Sequence, residues 1–140
     1  MKNEINLSFA IWGFDDITHD QITQTLGINP SKIYIKGEKR NPENLKSTAL
    51  VKENGWLLNS ALDKYTSFEK QMSSLLDVLE PRTDVLKLFC EKYTCEFTCA
   101  LFIYLNNEES MPWVHLDSRY NKLMKDLNIE FDLDLYCFPS

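Results

Sequence analysis

The side chains best suited to chemistry in this chain lie close to its C-terminal end. Glu130, Asp132 and Asp134 alternate with Ile129, Phe131, Leu133, Leu135 and Cys137. On a β-strand this alternation sends the three carboxylates to one face, about 7 Å apart along the strand. Carboxylates at such a spacing can divide general-acid and general-base work between them. The same row can instead keep a sheet edge soluble, or receive a cationic partner. No base or histidine accompanies the row in sequence, so binding is the favoured reading. Tyr136 shares its face.

Other chemistries find less support. Cys90, Cys95 and Cys99 are separated by four and three residues, unlike the paired CxxC knuckles of zinc sites. Cys95 and Cys99 fall on one side of a strand pattern and read as small core residues, as does Cys137 on the last strand. His19 and His115 stand outside any HxH or HxxxH pair, and no metal is assigned. There is no GxSxG elbow, and Gly13, Gly27, Gly37 and Gly55 are isolated, each with a turn or cap reading. Without a glycine-rich phosphate loop, no nucleotide or other cofactor is expected. Trp113 follows Pro112 beside Glu108 and Glu109, where an aromatic ring can anchor an interface. The candidate interaction surface is thus Trp113, His115, Glu130, Asp132, Asp134 and Tyr136.

The elements that position these residues follow from periodicity. Ile5, Leu7, Phe9 and Ile11 alternate as a half-buried strand. Thr18 and Gln21 form a capping box for a helix that Gly27 ends, and Lys32–Ile35 is a short strand. A polar connection covers about residues 37–47. A strand through Thr48, Leu50 and Val51 is expected next, turning at Asn54–Gly55 into Trp56, Leu57 and Leu58. Thr66 or Ser67 opens a second helix, with Glu69 able to complete a box behind Thr66. Phe68, Met72, Leu75, Leu76 and Leu79 form its apolar stripe. Pro81 breaks that helix, after which Val85, Leu88 and Phe89 continue an apolar face. Cys95, Phe97, Cys99, Leu101 and Ile103 point inward from a central strand. Asp117 caps a helix striped by Tyr120, Leu123, Met124 and Leu127. The last strand directs Ile129, Phe131, Leu133, Leu135 and Cys137 inward.

This order predicts a single α+β domain over residues 1–140. Its mixed β-sheet carries helices packed mainly on one face, and the chain ends in a β-α-β unit. Residues 5–35 have the pattern of a second strand–helix–strand crossover.

Composition bounds the function. With 140 residues, 44% of them hydrophobic, the chain can build a core without disulfides or metals. No apolar run is long enough to span a bilayer, and no signal-peptide pattern opens the sequence. With four cysteines, these features lead to a cytoplasmic expectation. The net charge of −6 is unevenly distributed. Residues 31–54 carry six bases against three acids, whereas 95–140 carry three against eight. An acidic end argues against nucleic acid and for a basic protein partner.

Taken in order, these segments resemble the bacterial domain-of-unknown-function family numbered 4279. The matching features are Leu26-Gly27-Ile28-Asn29-Pro30, Lys36-Gly37-Glu38, Gly55-Trp56 running into Leu57-Leu58-Asn59-Ser60, and Leu79-Glu80-Pro81-Arg82. His115-Leu116-Asp117 and Asp132-Leu133-Asp134-Leu135-Tyr136 complete the set. The resemblance runs from about residue 5 to 138. It implies a small α+β protein and brings no activity or catalytic residue. Two functions are therefore carried forward. The first is a non-catalytic protein-binding module, concretely an immunity-type inhibitor of a basic bacterial toxin. The alternative is a small enzyme or small-molecule-binding protein with a site near His115 and the last strand.

Overall fold

A computed structural model describes residues 1–139. Five strands form one mixed sheet: β1 (Glu4–Trp12), β2 (Lys32–Tyr34), β3 (Gly55–Asn59), β4 (Thr94–Tyr104) and β5 (Ile129–Phe138). Their order across the sheet is β2-β3-β1-β4-β5. Only β4 and β5 pair in parallel; the other contacts are antiparallel. The helices are α1 (His19–Leu26), α2 (Phe68–Leu79), α3 (Thr83–Lys92) and α4 (Ser118–Met124), and a 3-10 turn over Glu80–Arg82 joins α2 to α3. The protein is α+β, and β4-α4-β5 is the expected terminal β-α-β unit. The first crossover is split. Strands β1 and β2 run the same way because each is antiparallel to β3, which lies between them.

All four helices cover one face. Ile5, Leu7, Phe9 and Ile11 of β1 pack with Cys95, Phe97, Cys99, Leu101 and Ile103 of β4. Ile22 and Leu26 of α1, the α2 stripe, Leu86 and Cys90 of α3, and Tyr120 and Leu123 of α4 close over them. In α3 the buried residues are Leu86 and Cys90. Leu88, expected inside, is exposed, and Val85 and Phe89 are only partly covered. The 3-10 turn at Pro81 resets the helical phase, so a stripe extended from α2 misses the true one.

Capping explains where the helices begin. The Thr18 hydroxyl accepts from the Gln21 amide, and the Gln21 side chain accepts from the Thr18 amide. Gly27 follows α1 with φ +70°, a left-handed conformation that favours glycine. The cap of α2 is Ser67, whose hydroxyl accepts from the Lys70 amide; no box forms between Thr66 and Glu69. Arg82 ties two helix ends together, donating to the carbonyls of Leu26 and Val78 at 2.7 Å each.

One buried polar side chain holds helix to sheet. Strand β3 stops at Asn59 and leaves the β1 backbone at residues 5–7 without a strand on that side. Gln71 of α2 fills the gap, donating to the Ile5 carbonyl at 2.8 Å and accepting from the Leu7 amide at 3.3 Å. It also donates to the Thr66 carbonyl at 2.9 Å. The Ile5 amide and Leu7 carbonyl bond to Lys64 and Ser60 instead. These substitutes meet the demand that buried backbone groups be paired.

Two expectations fail at the sheet margins. Residues 48–51 form no strand. Leu50 makes only an isolated bridge to Lys39, and β3 pairs with the distant β2 rather than across an Asn54–Gly55 hairpin. Asn54 acts as a staple, donating to the Phe14 carbonyl at 2.7 Å and accepting from the Lys36 amide at 2.9 Å. On β5, Ile129 and Phe131 are partly covered, but Leu133, Leu135 and Cys137 are exposed. Length is the reason. A helix of seven residues spans about 10 Å, against about 33 Å for a ten-residue strand.

Candidate functional site on the helix-free face of the sheet

With every described helix on one side, the other face of the sheet carries none. Register fixes its rows: Ser8 lies between Asn59 and Thr98, and Ala10 between Leu57 and Glu96. Glu96 pairs with Glu130, Thr98 with Asp132, Ala100 with Asp134 and Phe102 with Tyr136. The acidic row is therefore on this face, as its alternation requires.

Strand β4 joins that row to the rest of the sheet. Glu96 accepts from the Trp12 indole N–H at 3.0 Å and from the Thr98 hydroxyl at 3.4 Å. The carboxyl group of Asp132 on β5 is its acidic neighbour. Burial, and then the neighbouring Asp132, push the Glu96 carboxyl up to about 7. Near neutral pH it exchanges a proton.

Trp12 lies flat against the backbone of Gly55. A Cβ built on Gly55 would sit 2.4 Å from Cζ3 of the indole, so only glycine fits beneath the ring. The Tyr34 ring stands 5.4 Å from that of Trp12, tilted by 30°. At the opposite corner, Phe102 stacks on Tyr136 at 4.9 Å and Tyr104 on Phe138 at 5.0 Å, forming an aromatic shelf.

A flap overhangs the Trp12 side. Gly37 donates to the Val51 carbonyl, Val51 to that of Glu38 and Arg40 to that of Ala49, so residues 37–51 fold back on themselves. Between flap and sheet is a cleft of about 470 Å³ lined by Ser8, Trp12, Tyr34, Arg40, Val51, Lys52, Glu53, Leu57, Thr94, Glu96 and Thr98. The segment that reads as a polar connection in sequence is thus one wall of a cavity.

The two loop candidates lie elsewhere. Trp113 is exposed and lines a separate cleft of about 190 Å³ with Asn3, Tyr65, Glu69 and Glu109. His115 is exposed with its ring 5.9 Å from that of Trp113, and no hydrogen bond joins it to a carboxylate among the described residues. The acidic row and the Trp113–His115 pair do not share a cleft.

Three of the four cysteines lie in the core, and Cys137 is exposed. Cys90, Cys95 and Cys99 are buried and unlinked. The contact with Cys90, together with burial, pushes the Cys95 thiol up, and burial pushes that of Cys99 up to about 11. Protonated thiols are poor nucleophiles. No group of three or more potential ligands able to hold a metal ion occurs among the described residues. Nor is any helix there long and apolar enough to cross a membrane.

A family profile described as Domain of unknown function (DUF4279) matches residues 3–138. The chain belongs to the DUF4279 family. No curated protein and no solved structure matches it. Within this DUF4279 chain the match takes in the whole sheet, the flap and α1 to α4, so the cleft and the β5 edge both lie inside the family domain. Glu96 and Tyr34 are the site residues that sequence reasoning passes over. The signal available for Glu96 was a lone acid among the outward positions of a strand whose other outward residues include Ala100, Phe102 and Tyr104.

Proposed function

We propose that this protein is a non-catalytic protein-binding module whose β5 edge receives a basic, extended segment of its partner. The observation that carries the reading is the uncovered length of β5. Ten residues form a sheet edge, and Leu133, Leu135, Tyr136 and Phe138 are exposed along it. Such an edge offers unpaired backbone groups to an added strand, and soluble proteins normally blunt it. Glu130, Asp132 and Asp134 supply a negative field along the same strand, which speeds encounter with a basic partner and fixes its identity.

An immunity-type inhibitor of a basic bacterial toxin is the concrete role to test first, in the cytoplasm of the producing cell. The catalytic alternative near His115 has weaker support, since no hydrogen bond joins that ring to a carboxylate among the described residues. The test is co-purification of the chain with the product of the adjacent reading frame in its native genome. Binding is expected for the wild type, to weaken with salt, and to fall at least about tenfold in the doubly substituted Glu130→Lys/Asp134→Lys chain. Equal binding by that variant, or no binding to a neighbouring basic product, overturns the proposal.

A further inference from the structure

We infer that the cleft between the flap and the sheet binds a small zwitterion of the amino-acid type, carrying a flat apolar side chain. The two signs of charge lie on different walls. Arg40 comes from the flap and Lys52 from the residue just after it, and neither forms an ion pair among the described residues. Glu96 comes from the sheet, with Asp132 behind it. Glu53, the other acid of the lining, has a carboxylate oxygen 3.7 Å from where a Gly13 side chain would begin, at the turn after β1.

A carboxylate suits the Arg40 guanidinium and the Lys52 ammonium, and an ammonium suits the Glu96 carboxylate. The Trp12 indole, held by Gly55 and Glu96, offers a preorganised surface for a flat side chain. Leu57 and Val51 add apolar lining, while Thr94 and Thr98 carry hydroxyls for orientation. A volume of about 470 Å³ lies within the range of small-molecule sites. A ligand with one sign of charge meets repulsion at one wall, so the zwitterion is selected by exclusion as well as attraction. Ionisation of Glu96 about pH 7 adds a further signature: affinity for an ammonium rises from pH 6 to pH 8.

The inference stands apart from the β5 reading, and its test separates them. The full chain is titrated with L-phenylalanine, followed by tryptophan emission and by backbone amide shifts. The comparators are 3-phenylpropionate, which lacks the ammonium, and phenethylamine, which lacks the carboxylate. Saturable binding is expected with Kd of about 1 mM or tighter, with shifts centred on Trp12, Glu96 and the flap. Each comparator should bind at least about tenfold more weakly. Glu96→Gln and Arg40→Ala/Lys52→Ala should each cost about tenfold or more while keeping the wild-type circular dichroism. Asp134→Lys, four residues along β5 from the position that pairs with Glu96, should leave phenylalanine binding unchanged. Absence of saturable binding, a comparator equal to phenylalanine, or undiminished binding by the cleft variants overturns the inference.

Discussion

Glu96 makes the stability of this protein depend on pH in a direction opposite to that of most paired carboxylates. Its folded-state pKa of about 7 stands above the ordinary 4.5, so between those values the native chain holds a proton that the unfolded chain has released. Stability must then fall as pH rises through that window and level off above about 7. At full weight the displacement corresponds to about 3 kcal/mol. Glu96 is only half-buried, and solvent screening reduces this to about 1–2 kcal/mol. Glu96→Gln imitates the protonated acid: its side-chain carbonyl can keep accepting from Trp12, and it places no charge beside Asp132. The variant should match the wild type near pH 5 and exceed it by about 1–2 kcal/mol at pH 8, or about 3–7 °C in melting temperature. Urea unfolding of both chains from pH 5 to 8 isolates the effect in the difference curve. Asp132→Asn should shrink that difference by removing one cause of the shift. A flat difference curve, or one in which the wild type gains on the variant with rising pH, refutes the reasoning.

Gly55→Ala drives a methyl group into the Trp12 ring and should cost about 1–3 kcal/mol, with a change in tryptophan emission; an unchanged thermal melt would contradict the packing. Gln71→Leu leaves the Leu7 amide and Ile5 carbonyl unpaired beneath α2, and chemical denaturation should report a loss of about 2–4 kcal/mol. Arg119 of α4 grips Glu80 with two hydrogen bonds of 2.7 and 3.0 Å and also reaches Asp77 and Ser73. Arg119→Ala should cost about 1 kcal/mol at low salt and less near 1 M salt. Arg119 holds the Glu80 carboxyl below its usual 4.5, so this contact is present above that pH and is lost as pH falls below it. Acid unfolding of Arg119→Ala should therefore lack the part of the wild-type transition that Glu80 supplies.

Periodicity names the face an element would bury, but it does not say whether a neighbour is long enough to cover it. Where both conditions hold, the sequence is legible: the Thr18–Gln21 box, the α2 stripe and the inward row of β4 all stand as read. Gln71 escapes because hydropathy scores a glutamine as surface, whereas the unfinished edge of β1 needs a donor and an acceptor at one point. The cleft escapes for a related reason. Its cations sit on a segment without periodicity, its proton-exchanging acid on another strand, and only the split crossover brings them together. Strand β5 is the clearest case. Its alternation promises one buried and one acidic face, yet only Ile129 and Phe131 are partly covered, Phe131 against Phe68 and Tyr120, and Leu133 and Leu135 stay in solvent. Under the proposed binding role, this uncovered stretch is where a partner strand would dock, and the acidic row on the same strand calls for a basic one.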